Sequence, residues 1–425
     1  MNPQHFDALE ARDPALREAA LMAALPAVVA QAQRHAPAFA ASLAGIDPAS
    51  VCSRSALAAL PVVRKSELLE QQRLARREGR DPFGGFATIG WRALGTLRRA
   101  QRIYQSPGPI YEPEGLATDY WRLARAMHAA GLRAGDLVHN CFSYHLTPGG
   151  LMMESGALAL GCTVFPGGVG NTELQLQAID DLRPDAYIGT PSFLKILVEK
   201  AAEAGTDIAC LKKALVGGEA FPPSLRDWLA ERGIHAYQSY ATADLGLIAY
   251  ETSAREGLVL DEGVIVEIVR PGTGEPVADG EVGEVVVTTL NPDYPLIRFG
   301  TGDLSAVLAG LCPSGRTHTR IKGWLGRADQ TAKVRGMFVH ASQVAEVVKR
   351  HPEIARARLV VEGEMANDRM TLHAEVAQGT ASEGLAERVA QSLRDVTKLR
   401  GEIALTQPGK LPNDGKVIED ARSYR

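Results

Sequence analysis

Short apolar stretches typical of strands alternate with helical patterns between residues 137 and 216. The strand candidates cover residues 137–142, 163–165, 186–189 and 214–216. This alternation predicts a mostly parallel sheet with helices packed on it. Ligands of such sheets bind beyond the carboxyl ends of the strands. The loops that follow these stretches are therefore where we expect a functional site.

Two of these loops combine aromatic residues with glycines. The first contains Phe142, Tyr144 and His145, and the two aromatic faces suit an aromatic ring. A lone histidine is often a structural residue, so a structural role and a pocket role both stay open for His145. The second loop contains Gly167 and Gly168, whose spacing is not that of a dinucleotide-binding loop. Close approach to a ligand and a plain turn are both open there.

The pattern changes after residue 258. Two β-branched runs, 263–269 and 283–290, flank a turn rich in Gly and Pro, which predicts an antiparallel hairpin. After Asp329, strand and helix patterns alternate over about a hundred residues, enough for a separate core. We therefore predict an α/β protein with a large N-terminal domain of mostly parallel sheets (1–328), which includes a small β-subdomain (about 258–328). A small α+β C-terminal domain (329–425) follows it.

Composition narrows the class of protein. The chain has 425 residues, of which 45% are apolar and 23% are charged, as in a globular protein. Its net charge of −4 gives no reason to expect nucleic acid as a partner. Five scattered cysteines, an odd number, fit reduced thiols in the cytoplasm. No apolar run approaches the roughly 20 residues that span a bilayer, so we expect no membrane segment.

Three short motifs follow one another between residues 298 and 340: Thr-Gly-Asp-Leu at 301–304, Gly-Arg-Ala-Asp at 326–329 and Lys-Val-Arg-Gly-Met at 333–337. An Asp at the end of a strand suits a ribose, because its two oxygens can accept from vicinal hydroxyls. Gly-Arg-x-Asp suits a pivot, since Gly and Asp tolerate unusual backbone angles. The order of the motifs resembles that of the adenylate-forming acyl-CoA ligases, and the flanking sequence is most similar to the phenylacetate-CoA ligase branch. The resemblance extends from LPVVRKSELLE to LPNDGKVIED.

The resemblance implies ATP, Mg²⁺ and coenzyme A as cofactors. It assigns the ribose hydroxyls to Asp303 and a ribose or phosphate contact to Arg327. Asp244 stands where the family has a metal-binding Glu, and a Mg²⁺ ion accepts either carboxylate. Phe142, Tyr144 and His145 would line the pocket for the carboxylic acid, with Gly167 and Gly168 close by. The expected adenine-binding residues are Gly218, Glu219, Ala220, Tyr240, Ala241 and Thr242.

The C-terminal domain would serve both half-reactions. Lys416, in LPNDGKV, matches the family's catalytic lysine, which neutralises charge at the α-phosphate. A rotation about Asp329 would then remove Lys416 and bring in the segment 333–337. In that segment Lys333 would contact CoA and Gly336 would let its pantetheine arm approach.

One loop departs from the family. Residues 105–111, QSPGPIY, stand where relatives carry a Ser/Thr/Gly-rich phosphate loop ending in Gly-Lys. The prolines remove N–H donors, the lysine is absent, and only Ser106 offers a hydroxyl. A working phosphate loop and an ordinary tight turn are both open. We interpret LPVVRKSELL, nearer the N-terminus, as scaffold.

The resemblance predicts an AMP-forming acid–CoA ligase that converts an arylacetic acid, such as phenylacetate or indoleacetate, to its CoA thioester. Two alternatives stay open. One is an adenylating enzyme that passes its acyl group to a carrier protein or another cofactor. The other is a non-catalytic adenylate-binding protein with an altered phosphate loop. A homodimer is compatible with each of them.

Overall fold

The computed structural model describes residues 4–90, 99–270, 274–326, 328, 332–334, 337–339, 341–363, 368–376, 384–412 and 416–422. The chain divides into two compact units, Met1–Gly326 and Arg327–Arg425. The division falls close to the boundary predicted after residue 328.

The described helices are α1 (Pro14–His35), α2 (Pro37–Ser42), α3 (Arg54–Ala58), α4 (Lys65–Arg77), α5 (Leu123–Ala129), α6 (Gly149–Leu160), α7 (Thr172–Leu182), α8 (Pro191–Ala204), α9 (Pro223–Ala230), α10 (Ala341–Arg350) and α11 (Leu385–Thr397). The described strands of the first unit are β1 (Val63–Arg64), β2 (Arg102–Ser106), β3 (Ile110–Glu114), β4 (Leu137–Asn140), β5 (Thr163–Phe165), β6 (Ala186–Gly189), β7 (Lys213–Val216), β8 (His235–Thr242), β9 (Gly246–Glu251), β10 (Leu258–Leu260), β11 (Val264–Val269), β12 (Gly283–Thr289), β13 (Phe299–Ser305), β14 (Val307–Leu308) and β15 (Arg320–Ile321). Those of the second unit are β16 (Ala332–Val334), β17 (Met337–Val339), β18 (Ile354–Glu362), β19 (Arg369–Val376), β20 (Glu402–Thr406) and β21 (Ile418–Asp420).

A nine-stranded sheet forms the centre of the first unit, in the order β14-β15-β10-β9-β8-β7-β6-β4-β5. The strands from β8 to β5 are parallel, which confirms the predicted α/β class. Each predicted strand from 137 to 216 is present. The strand β6 is buried along its whole length, and Thr190 then caps α8 by accepting from Phe193 N at 3.3 Å.

A second sheet has the order β1-β13-β12-β11. Its strands β11 and β12 pair antiparallel, as the β-branched runs predict. The residues from 258 onward divide between the two sheets, because β10 and β15 join the nine-stranded sheet through β9. Apolar residues of these strands share their cores with residues from earlier in the chain.

The helix α1 contains Pro26 in its interior, a position that proline normally disfavours. Leu25 and Val29 are fully buried in the core of the first unit, and this packing outweighs the hydrogen bond that proline cannot make. By length and composition alone α1 could also cross a membrane, and 33% of its apolar window is buried. The buried residues of α1, among them Leu25 and Val29, account for part of the apolar pattern.

The helix α5 begins at Leu123. Asp119 and Arg122 adopt positive φ angles of 49° and 65°, which interrupt any helix before that point. The carboxylate of Asp119 then accepts from the backbone N–H groups of Leu123 and Ala124 at 2.8 and 3.0 Å. These contacts fix where the short helix α5 starts.

The second unit is an α+β fold. Its sheet has the order β20-β19-β18-β21, with β18 and β19 antiparallel and both outer pairs parallel. The strands β16 and β17 form a separate hairpin. Apolar residues of α10 and α11 join the core of this unit, including Val347, Val389 and Leu393. The predicted helices and strands of residues 341–397 are therefore present.

Candidate functional site

The loops that carry the predicted site leave one edge of the nine-stranded sheet. The strands β4, β5, β6, β7 and β8 are parallel, so their carboxyl ends lie at the same edge. The predicted acid-pocket loops follow β4 and β5, and the predicted adenine-binding residues follow β7 and end β8. The topology thus brings loops that are far apart in sequence to one place.

The structure brings the predicted pocket residues into contact. A Cβ atom at Gly218 would lie 3.5 Å from Phe142 Cε1, and one at Gly168 would lie 4.0 Å from Tyr144 Cδ2. Phe142, in the loop for the acid, therefore lies beside the loop for adenine. Gly150 makes room for Tyr144, since a Cβ there would lie 2.7 Å from Tyr144 Cδ2.

The ring of Tyr144 is held by its hydroxyl. The hydroxyl donates to Glu154 Oε2 at 2.8 Å and accepts from Asn140 Nδ2 at 2.8 Å. Burial, together with Glu154, raises the pKa of Tyr144, so the phenol stays neutral. His145 has an exposed side chain, and its backbone N–H donates to Ser143 Oγ at 3.2 Å.

Gln175 organises the glycine loop, and sequence analysis missed it. Its Nε2 donates to the carbonyls of Gly168 and Gly170 at 2.9 and 2.6 Å, and its Oε1 lies 2.7 Å from His139 Nε2. A Cβ at Gly167 would lie 2.8 Å from Gln175 Oε1, so close packing requires glycine there. Burial lowers the pKa of His139 and keeps the ring neutral.

The predicted adenine and ribose residues touch each other. Tyr240 donates its hydroxyl to Asp303 Oδ2 at 2.8 Å, and Trp324 Nε1 donates to Asp303 Oδ1 at 3.1 Å. An ionised carboxylate has about four lone-pair sites, so both oxygens can still accept from ribose hydroxyls. Trp324 is 51% exposed and was not predicted. Leu304 N donates to Gly326 O at 2.8 Å, which ties the end of the first unit to the strand that carries Asp303.

The loop after β7 is exposed, so its backbone groups are accessible to a ligand. Gly218, Glu219 and Ala220 are exposed, and Gly218 has a φ of 78°, which favours glycine. The Glu219 carboxylate accepts from Ser192 N at 2.6 Å, near the start of α8.

The two residues that end β8 are partly buried and shape the turn before Asp244. Ala241 pairs with Leu247 across β8 and β9. Thr242 Oγ1 accepts from Leu245 N at 3.1 Å.

Asp244 is a buried carboxylate with one strong partner. It is 6% exposed, and its Oδ2 accepts from Lys65 Nζ at 2.9 Å. Its Oδ1 is buried and has no hydrogen-bond partner among the described residues. Lys65 is the first residue of α4, in the segment that we interpreted as scaffold. That interpretation missed the contact, because 179 residues separate Lys65 from Asp244.

The segment in the place of the phosphate loop is a hairpin. The strands β2 and β3 pair from Arg102 and Glu114 to Ser106 and Ile110. Ser106 is 5% exposed and donates its hydroxyl to Glu112 Oε1 at 2.5 Å. The structure thus has a tight turn at residues 107–109, and the Ser106 hydroxyl is engaged inside the hairpin, so its phosphate contact stays a prediction.

Glu112 and Tyr294 adjoin Asp244. Burial and the negative charge of Asp244 raise the pKa of Glu112 well above its usual range. Burial and then the charges of Asp244 and Glu112 raise the pKa of Tyr294, which is 2% exposed. Neither residue was predicted, because an isolated Glu in a strand and a Tyr in an apolar run carry no recognisable signal.

The remaining predicted residues belong to the second unit. Lys416 is exposed directly before β21, and its carbonyl accepts from Arg358 Nε at 3.1 Å. Lys333 lies in β16. Arg327, Asp329 and Gly336 lie outside the described residues.

Comparisons with known proteins decide the family. The family described as AMP-binding enzyme matches residues 116–291. The chain is 30% identical over 403 residues to phenylacetate-coenzyme A ligase of Thermus thermophilus, covering 87% of each chain. It is 31% identical over 348 residues to the ligase of the same name from Aromatoleum evansii, covering 78% of this chain and 75% of that one. The chain belongs to the adenylate-forming acyl-CoA ligases.

A solved structure of this ligase superfamily has the same fold. It is 2-hydroxyisobutyryl-CoA ligase in complex with 2-HIB-AMP and CoA in the thioesterification state. The TM-score is 0.72 at 25% identity, and the match covers 99% of this chain and 93% of that chain. The similarity thus extends through the second unit, and the predicted resemblance is confirmed over nearly the whole chain.

The Mg²⁺ of this ligase superfamily fits the surroundings of Asp244. The buried Oδ1 atom is a hard oxygen acceptor that lacks a donor, and Mg²⁺ prefers oxygen ligands. The described residues contain no group of three or more His, Cys, Asp or Glu side chains that could hold a metal. A site of one or two carboxylates, completed by water and substrate phosphates, suits Mg²⁺.

Proposed function

We propose that the chain activates an arylacetic acid, such as phenylacetate or indoleacetate, and joins it to coenzyme A. The observation that carries this proposal is that Phe142 lies beside Gly218 and Tyr240 bonds Asp303, in a fold whose family makes CoA thioesters. The aromatic wall of Phe142 and Tyr144 supports an aromatic acid. The names of the relatives at 30 and 31% identity support phenylacetate in particular.

In the first half-reaction the substrate carboxylate attacks the α-phosphate of ATP, forming an acyl-adenylate and releasing pyrophosphate. A carboxylate is a poor electrophile, and the adenylate makes its carbon reactive. Tyr240 and Asp303 hold the nucleoside, while Lys416 neutralises the charge that builds on the α-phosphate. Mg²⁺, when bound at Asp244, supplies charge neutralisation at the phosphates.

In the second half-reaction the thiol of CoA attacks the acyl-adenylate and releases AMP. We assign this step to the other orientation of the second unit, reached by rotation about Asp329, with Lys333 and Gly336 beside the pantetheine arm. The step needs no enzyme cysteine. Burial raises the pKa of Cys141, whose thiol donates to Gln175 Oε1 at 3.0 Å, so this thiol is not a nucleophile.

We further propose a cytoplasmic enzyme whose partners are small molecules. The five cysteines are free, as in a reducing compartment. The net charge of −4 gives no reason to expect that the protein binds polyanions such as nucleic acid. Light scattering after size exclusion will distinguish a monomer from a homodimer.

The test is AMP release from ATP and Mg²⁺ against a panel of carboxylic acids, with and without CoA. CoA-dependent turnover on one arylacetic acid supports the proposal and names the substrate. AMP release that requires a carrier protein instead of CoA would favour the alternative acceptor. If nucleotide binds but no acid is turned over, the chain is an adenylate-binding protein.

A further inference from the structure

The hairpin of β2 and β3 places a second carboxylate against Asp244. Glu112 is 1% exposed, and Ser106 donates to its Oε1. Its Oε2 is buried and accepts no hydrogen bond from the part of the chain that the structure describes. The same holds for Oδ1 of Asp244, whose Oδ2 is paired with Lys65. Each carboxylate thus has one satisfied oxygen and one that lacks a donor.

The two carboxyl groups are neighbours. The carboxyl groups of Glu112 and Asp244 are within hydrogen-bonding reach of each other. The hydroxyl of Tyr294 is also buried without a partner among the described residues, and it interacts electrostatically with both carboxylates. Buried polar atoms in folded proteins are nearly always satisfied, so we take these three neighbouring exceptions as the place of a further group.

The charges indicate which group is missing. With both carboxyl groups ionised, the ammonium of Lys65 would balance only one of the two negative charges, and the other would be costly in a buried place without a counter-charge. A divalent cation supplies that charge and takes oxygen ligands. A proton shared by the two carboxyl groups is the other solution, and the experiment below separates the two.

We propose that Glu112 is a second carboxylate ligand, beside Asp244, for the divalent cation of the ligase reaction. The identity of that cation as Mg²⁺ rests on the proposed function. The altered hairpin then contributes to the site in another way than a phosphate loop does. The phosphate loop of relatives directs hydroxyls and a lysine at the phosphates. The hairpin of this chain would instead direct a carboxylate at the metal.

The experiment titrates Mn²⁺, a paramagnetic substitute for Mg²⁺, into the full chain without nucleotide, acid or CoA. Free Mn²⁺ is measured by electron paramagnetic resonance. The variants are Glu112→Gln and, as the matched control, Glu114→Gln. Glu114 is also buried on β3, but its carboxylate accepts from Arg102 and Tyr104 at 2.8–3.0 Å.

A ligand role predicts that Glu112→Gln weakens Mn²⁺ affinity by about tenfold or more, the range known for residues that support metal sites. Glu114→Gln should bind as the wild type does. Equal affinity in Glu112→Gln and the wild type would overturn the proposal. It would favour the shared proton, because a glutamine amide replaces a protonated carboxyl group.

A second measurement covers the case in which Glu112→Gln fails to fold. Mn²⁺ that binds the native wild-type chain raises its melting temperature with concentration. The absence of any such shift would also overturn the proposal. Neither measurement involves turnover. A chain that is inactive on every acid would therefore refute the proposed function but leave the conclusion about Mn²⁺ binding by Glu112 unchanged.

Discussion

At the scale of single residues, Asp244 is the centre of the site's electrostatics. It is buried, paired with Lys65 on one oxygen and adjacent to Glu112. The family places a longer Glu at this position, so the shorter Asp depends more on its neighbours for geometry. Two substitutions test these features separately: one removes the carboxylate of Asp244, and the other removes the ammonium of Lys65 that pairs with it.

Asp244→Ala removes the predicted metal ligand. We expect the Mg²⁺ concentration for half-maximal rate to rise by about tenfold or more, because metal sites that lose a supporting group weaken on this scale. The measurement is initial rate against Mg²⁺ concentration. Asp227→Ala, which removes an exposed carboxylate on α9, is the control. An unchanged metal requirement in Asp244→Ala would remove this residue from the site.

Lys65→Met leaves the buried Asp244 carboxylate without its ammonium. A buried acceptor that loses its partner costs about 1–3 kcal/mol, so the free energy of unfolding should fall by this amount. Urea unfolding measures it. Lys195→Met is the control, because the Lys195–Glu199 pair is exposed and such pairs are worth about 0–1 kcal/mol. Equal effects of both substitutions would show that Lys65 makes only a surface contact.

Trp324→Phe removes one of the two donors to Asp303 and keeps the aromatic face. A loss of about 1 kcal/mol in nucleotide affinity, roughly fivefold, follows from one hydrogen bond to a charged group near the surface. Isothermal titration with AMP measures the affinity, and Tyr240→Phe tests the other donor in the same way. If AMP binds Trp324→Phe as tightly as the wild type, the indole does not position Asp303.

At the scale of elements, the sequence predicted the strands and their loops better than the contacts between them. Short apolar runs locate β4 to β7, and β-branched runs locate the β11–β12 hairpin, because buried strands have a strong local pattern. Contacts such as Lys65 with Asp244 join residues 179 positions apart, and no local pattern encodes them. Gln175 was missed for the same reason. Pro26 lies inside α1 because packing there outweighs the local preference of proline.

The hairpin of β16 and β17 is the element that we assign to CoA. Gly336, predicted to permit the approach of pantetheine, lies outside the described residues, and in sequence it falls between β16 and β17. Gly336→Pro should therefore lower the rate of thioester formation from supplied acyl-adenylate far more than the rate of adenylation. Pyrophosphate release and thioester formation, measured separately, distinguish the two steps. Normal coupled turnover in the variant would contradict the assignment.

At the scale of the whole molecule, the chain consists of two units with separate cores. The predicted metal, adenine and ribose ligands belong to the first unit, except for Arg327 at the junction, whereas Lys416 belongs to the second. The fold of each unit could be predicted from periodicity and from the resemblance. The rotation that would exchange Lys416 for the Lys333–Gly336 segment is our proposal, and it implies that each half-reaction uses different residues of the second unit.

The most direct test of this account is the effect of Lys416→Ala on the two half-reactions. Adenylation is followed by pyrophosphate release from ATP and the acid, and thioester formation by the reaction of supplied acyl-adenylate with CoA. Lys410→Ala, an exposed lysine in the same loop region, is the control. We predict that Lys416→Ala abolishes adenylation and leaves thioester formation nearly intact. Equal loss of both half-reactions would contradict the assigned role of Lys416 and the exchange of residues between the two steps.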